Sequence, residues 1–115
     1  MMKLYARSAA DLARSIRSKE HSVAEVVEAH LSRMERMEPI LSAIITPLKE
    51  EARARASALD IALSRDENPG PLTGVPFIVK DNFCTRGVRT TCASRMLEGW
   101  VPPYDATVVR YLEEA

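Results

Sequence analysis

Lys80 closes the apolar run "GVPFIVK" and is followed at once by Asp81 and Asn82. If Val75 to Lys80 is a strand, Val75, Phe77 and Val79 share one face and Pro76, Ile78 and Lys80 the other, so neither face is polar. An ammonium in that setting has two uses. Its apolar stem can lie along the strand while the charge reaches water. Alternatively the group can be desolvated on a cleft floor, where loss of water favours the neutral amine and equips it to take a proton. Asp81 and Asn82 can orient such a lysine, although an Asp-Asn pair at the end of a strand more commonly serves turn chemistry. Thr90 and Thr91 present the same choice between site-shaping hydrogen bonds and ordinary β-leaning structure, and the sequence leaves it open.

The other reactive side chains form no comparable group. Cys84 and Cys92 lack a C-x-x-C spacing, and His21 and His30 lie far upstream, so no metal site is expected. Both thiols read as reduced, partly buried packing residues. His30 continues a helical face and His21 precedes a helix cap. Ser94 is the only serine after Lys80.

The elements that must position these residues are mostly helical. Ser8 with Asp11 three residues on, then Leu12 and Ile16, predicts a short first helix. Ser22 and Glu25 form a capping box ahead of a stripe of Val23, Val26, Val27, Leu31 and Met34, and Pro39 is expected to stop that second helix near Glu38. "LSAIITPL" leans towards β structure. "KEEARARASALDIALSR" predicts a third helix with Ala52, Ala56, Leu59 and Leu63 near one face, and "DENPGPL" a connecting loop. Gly87 marks a turn, and Asp105 is the expected cap of a last helix carrying Val108, Val109 and Leu112.

The totals narrow the function classes. In 115 residues, sixteen basic and sixteen acidic side chains cancel, giving no electrostatic signal for direct nucleic-acid or anionic-membrane binding. Hydrophobic residues at 46% and charged residues at 28% are ordinary for a globular protein. No apolar run nears the roughly 18 residues of a membrane span, and the first residues lack the apolar core of a secretory signal. A soluble, cytoplasmic protein is expected.

Gly74, Val75, Pro76, Lys80 and Asp81, followed by Gly87, Thr90 and Thr91, fit a G-[IV]-P-x-x-x-K-D pattern with a G-x-x-T-T stretch behind it. In this composite the chain resembles the amidase signature family. "TTCAS", "PPYDATVV", the opening helices and "LSAIIT" bring it closest to one branch, the A subunits of aspartyl/glutamyl-tRNA amidotransferases. The resemblance covers nearly the whole chain.

The resemblance implies a Ser-cisSer-Lys triad, a serine-lysine variant of the nucleophile-base arrangement, with Lys80 at the position of the base. The Gly/Ser-rich signature that supplies both serines in the family has no counterpart among these residues, and Ser94 belongs to "TTCAS". Residues 1–115 are therefore expected to be the N-terminal part of a single amidase domain, truncated before that signature. The expected class is α/β, with helices followed by the first strands of a mixed central sheet. The implied activity is glutamine hydrolysis that supplies ammonia for transamidation of Glu-tRNA(Gln) or Asp-tRNA(Asn), with this segment inactive alone. The implied partners are the B and C subunits of a heterotrimer. ATP and magnesium belong to the B subunit, and this chain binds no cofactor. Two alternatives stay open: an amidase of the same family acting on a small-molecule amide, and a noncatalytic module whose Ser22–Glu38 helix docks on a partner.

Overall fold

The computed structural model describes residues 1–67 and 69–115. Among them are four α-helices, α1 (Ala9–Arg17), α2 (Val23–Leu41), α3 (Lys49–Ser64) and α4 (Thr107–Glu114). Short 3-10 turns lie at Leu4–Ala6 and Arg95–Leu97. The chain forms two compact units, Met1–Pro76 and Phe77–Ala115. No helix among the described residues is long and apolar enough to cross a membrane.

The helices of the first unit follow from local chemistry. The Ser8 hydroxyl accepts from the Asp11 N–H at 3.1 Å and starts α1. At the head of α2 the Ser22 hydroxyl accepts from the Glu25 N–H, while the Glu25 carboxylate accepts from the Ser22 N–H at 2.8 Å, completing the capping box. The apolar stripes meet in one core of Leu12, Ile16, Val23, Val26, Val27, Leu31 and Ala56. Met34, Ala52, Leu59, Leu63 and Val75 pack around it. The α2 stripe is thus core, as such stripes usually are. On the surface Arg53 of α3 reaches Glu28 of α2, and Lys49 reaches Glu35. Exposed pairs of this kind each contribute little.

A longer-range contact completes the α2 start. Asp60 of α3 accepts from the Val23 N–H at 2.8 Å and the Ala24 N–H at 3.0 Å, two donors that no helical carbonyl can satisfy. Asp60→Ala should lower stability by roughly 1–2 kcal/mol, the usual cost of a lost N-terminal cap. Urea unfolding followed by far-ultraviolet circular dichroism checks this, with Ser22→Ala as a local comparison.

Two expectations about these elements need correction. α2 runs past Glu38 through Pro39 to Leu41. Pro39 sits in the last turn, where the Ser42 N–H reaches the Glu38 carbonyl at 2.8 Å and the Ile44 N–H reaches the Glu38 carboxylate at 2.9 Å, holding the end together. "LSAIITPL" forms no strand: Leu41 ends α2 and the rest is loop and bend. Of the connector "DENPGPL", Asn68 lies outside the described residues; Asp66 and Glu67 close a turn onto Leu63 and Ala62.

The largest correction concerns the sheet. Among the described residues Val75–Lys80 has no strand partner, and the only bridge is the isolated pair Thr85 and Val88. A strand exists only where a neighbour completes its ladder, and Pro76 in addition brings no donor. Phe77 is 45% and Ile78 78% exposed, so both alternating faces of the run are open.

The second unit is held by backbone bonds between two non-helical segments. The Ala106 N–H reaches the Cys84 carbonyl, the Gly87 N–H the Pro102 carbonyl and the Thr90 N–H the Trp100 carbonyl, at 2.7, 3.0 and 3.1 Å. Rising numbers on one segment meet falling numbers on the other, so the two run antiparallel. Gly87, at φ +74°, is the third residue of the Thr85–Val88 turn, a position that favours glycine. Asp105 does not cap α4; Ala106 occupies that position without a side-chain bond. The Asp105 carboxylate accepts instead from the Arg86 N–H at 2.7 Å. Of the apolar residues on α4, Val109 is buried, and Val108 and Leu112 are exposed.

Candidate active site

Lys80 is exposed and ends its run in a tight turn, with its carbonyl accepting from the Phe83 N–H at 3.0 Å. Asp81 and Asn82 are the central residues of that turn, so the Asp-Asn pair does serve turn chemistry. Asn82 is exposed. Asp81 does more. One carboxylate oxygen accepts from the Thr91 N–H at 2.9 Å, the other accepts from the Thr91 hydroxyl, and the Asp81 carbonyl accepts from the Cys92 N–H at 2.8 Å. The structure thereby separates the two threonines. Thr91 is tied to the residue beside Lys80, while Thr90 joins the antiparallel pairing through the Trp100 carbonyl. Both are buried.

The segment that Asp81 grips is strained. The Ser94 N–H closes a turn onto the Thr91 carbonyl at 2.8 Å, with Cys92 at φ +50° and Ala93 at φ +56° as its central residues. Positive φ at both centres is the habit of a type I′ turn, which favours Gly and Asn. For side chains with a Cβ that backbone costs about 1–2 kcal/mol per residue. Neighbouring bonds must offset it, and those to Asp81 lie at the base of the turn. Cys92 is exposed on the turn, against the expectation of partial burial, and Cys84 is half-buried with its thiol 3.8 Å from the Tyr104 hydroxyl.

The hydroxyl and N–H of Thr91 hold the Asp81 carboxyl below the usual carboxylate range, with the Ala93 N–H and the Arg89 charge adding to the effect. A depressed acid contributes stability that is fully present above its unfolded pKa, about 3.9, and is lost as pH falls through the folded value. The Thr91 contact should therefore survive at pH 4 and be lost only at lower pH. Following the Thr91 amide by NMR through an acid titration checks this; a midpoint at or above the free-aspartate value would contradict it.

Sequence reading named Lys80, Asp81 and both threonines but missed their pairing, because the Asp81–Thr91 contact spans ten residues of irregular chain. It also missed Asp105 as an acceptor for Arg86, since an aspartate before a helix reads as a cap. A depression of about 530 Å³, lined by Glu35, Glu38, Pro39, Ser42, Ile44 and Lys49, contains none of the predicted site residues.

Comparison with known proteins bears on the motif as a whole. The chain is 50% identical over 114 residues to the A subunit of the glutamyl-tRNA(Gln) amidotransferase of Moorella thermoacetica, covering 99% of this chain and 23% of that one. It is 46% identical over 114 residues to the same subunit of Carboxydothermus hydrogenoformans, covering 99% and 24%. The chain thus spans about a quarter of the length of the curated relatives it matches. Among solved structures, a chain described with a vestigial protein complex that reveals the evolutionary origins of an s-triazine catabolic enzyme superposes with a TM-score of 0.87 at 29% identity. That match covers 93% of this chain and 24% of the other. The family model described as Amidase matches residues 25–115, from the capping box of α2 through the Lys80 motif to the end of α4, and the chain belongs to that family.

Proposed function

We propose that the chain provides the lysine-bearing part of a glutamine amidohydrolase, the A subunit of an amidotransferase that converts Glu-tRNA(Gln) or Asp-tRNA(Asn). The observation that carries this reading is the identity of 45–50% to relatives that are all named as the A subunit of a glutamyl-tRNA(Gln) amidotransferase. Lys80 acts as the base of a Ser-cisSer-Lys triad. In its neutral form it takes a proton, through a bridging serine, from the serine that attacks the glutamine amide carbonyl, while backbone N–H groups stabilise the oxyanion. Both serines lie in the remaining three-quarters of the amidase length, within the same domain as residues 1–115. That remainder also adds the sheet neighbours that Val75–Lys80 lacks and covers Phe77, Ile78 and Lys80. B and C subunits complete the assembly, and ATP with magnesium is used on the B subunit. The site of action is the cytoplasm.

A small-molecule amide is the second substrate reading, favoured by the structural likeness to a protein associated with the origins of s-triazine catabolism. The test is ammonia release from glutamine and from simple carboxamides by residues 1–115 joined to the remaining three-quarters of the Moorella thermoacetica protein. Preference for glutamine, increased by the partner subunits and ATP, is expected. Equal or better turnover of simple amides, indifferent to the partners, would favour the second reading.

A further inference from the structure

We propose that Asp81 is a positioning residue of this site, fixing the point from which the Lys80 side chain leaves the backbone. The proposal rests on the reading of Lys80 as base. Asp81 presents its carbonyl and both carboxylate oxygens to a single short segment, through the Cys92 N–H, the Thr91 N–H and the Thr91 hydroxyl. A carboxylate with one oxygen on an amide and the other on the hydroxyl of the same residue cannot rotate without loosening both bonds. With its carbonyl held as well, Asp81 is fixed on its backbone and on its side chain. The adjoining Lys80 carbonyl is fixed by the Phe83 N–H. The two peptide units that meet at Asp81 are therefore both pinned, and the first of them carries the Cα of Lys80, so the point from which the Lys80 side chain departs is held in place.

The receiving end is itself built for this. Thr91 is 7% exposed, and its hydroxyl also accepts from the Ala93 N–H at 3.2 Å. The turn it begins places Cys92 and Ala93 in backbone conformations that neither residue favours. Such strain persists only where the surroundings over-determine it, and it collects at functional sites. Here the contacts that over-determine it end on the residue bonded to Lys80. A base that must meet its partner within a few tenths of an ångström gains from that stiffness.

The test uses residues 1–115 joined to the remainder of the Moorella thermoacetica protein for kinetics, and the 115-residue chain for backbone relaxation. Asp81→Asn keeps the size of the side chain but puts a donor where an acceptor is needed. It is expected to lower kcat about 100-fold with KM little changed. Thr91→Val should behave alike, whereas Thr91→Ser, which keeps the hydroxyl, should stay within roughly threefold of the parent. In ¹⁵N relaxation the Lys80 and Asp81 amides should become more mobile in Asp81→Asn and not in Thr91→Ser. Unchanged kcat in Asp81→Asn, or equal losses in Asp81→Asn and Thr91→Ser, would overturn the proposal. Lys80→Ala separates the two levels. If it leaves kcat intact, the reading of Lys80 as base fails. If it removes activity while Asp81→Asn does not, only the positioning role fails.

Discussion

Lys80→Ala should lower glutamine hydrolysis by about 10²–10⁴-fold, the range that a positioned proton-transfer group contributes. The loss should fall on kcat, because Lys80 is assigned to the reacting proton and not to holding glutamine. Lys80→Arg should fare no better, since a guanidinium cannot give up its proton near neutral pH and its planar fork does not occupy the place of a primary amine. The expected pattern is therefore loss in both variants with KM nearly unchanged, measured as ammonia release in the joined protein. Substantial kcat in Lys80→Arg would show that the charge, not the basicity, of residue 80 is what the reaction uses. On the proposed reading the attacking serine lies outside these 115 residues, so the chain by itself should release no ammonia above background.

Gly74→Ala should strongly destabilise the first unit. A Cβ at Gly74 would lie 2.7 Å from Val23 Cγ2 and 2.9 Å from Ile16 Cδ1, distances at which something must shift. Both neighbours are core side chains, each no more than 3% exposed, so neither can swing into solvent. Overpacking of this kind costs about 1–3 kcal/mol. Gly74 also has φ +80°, where a Cβ adds about 1–2 kcal/mol. Together the two give about 2–5 kcal/mol. Gly87→Ala offers the contrast: its φ is +74°, but nothing lies within 4 Å of the added carbon, so only the backbone contribution applies. Urea unfolding of the two variants should differ by the packing contribution, and similar midpoints would contradict the steric argument. Gly74 thus opens the Lys80 motif for a reason of packing, not chemistry.

The parts of this fold that could be read from sequence are those whose causes lie within one turn of helix. The Ser8 cap, the Ser22–Glu25 box and the stripe from Val23 to Leu31 each depend on residues three or four apart, and all are found where expected. The errors arise where the decisive partner is remote. Val75–Lys80 alternates like a strand, but pairing is a property of two segments and none lies beside it among the described residues. Asp105 looks like a cap until Arg86 offers it a better-placed N–H. Pro39 is the exception, a misreading whose cause is local: the adjacent Glu38 secures the turn that follows it. The motif around Lys80 was legible as a composite of types and spacings. That Asp81 grips Thr91 was not, because nothing periodic connects them.

Asp60 also bears on the order in which the first unit assembles. The Ser22–Glu25 box closes over three residues and can form as soon as the chain bends there, whereas the Asp60 contacts close over 36 and 37 residues and must wait for α3 to dock. Closing so long a loop has an entropic cost before any contact repays it. The start of α2 is therefore secured twice, early by a local pair and late by a distant one. A substitution at Ser22 acts on how fast the helix appears, while one at Asp60 acts on how long the finished unit lasts before it opens.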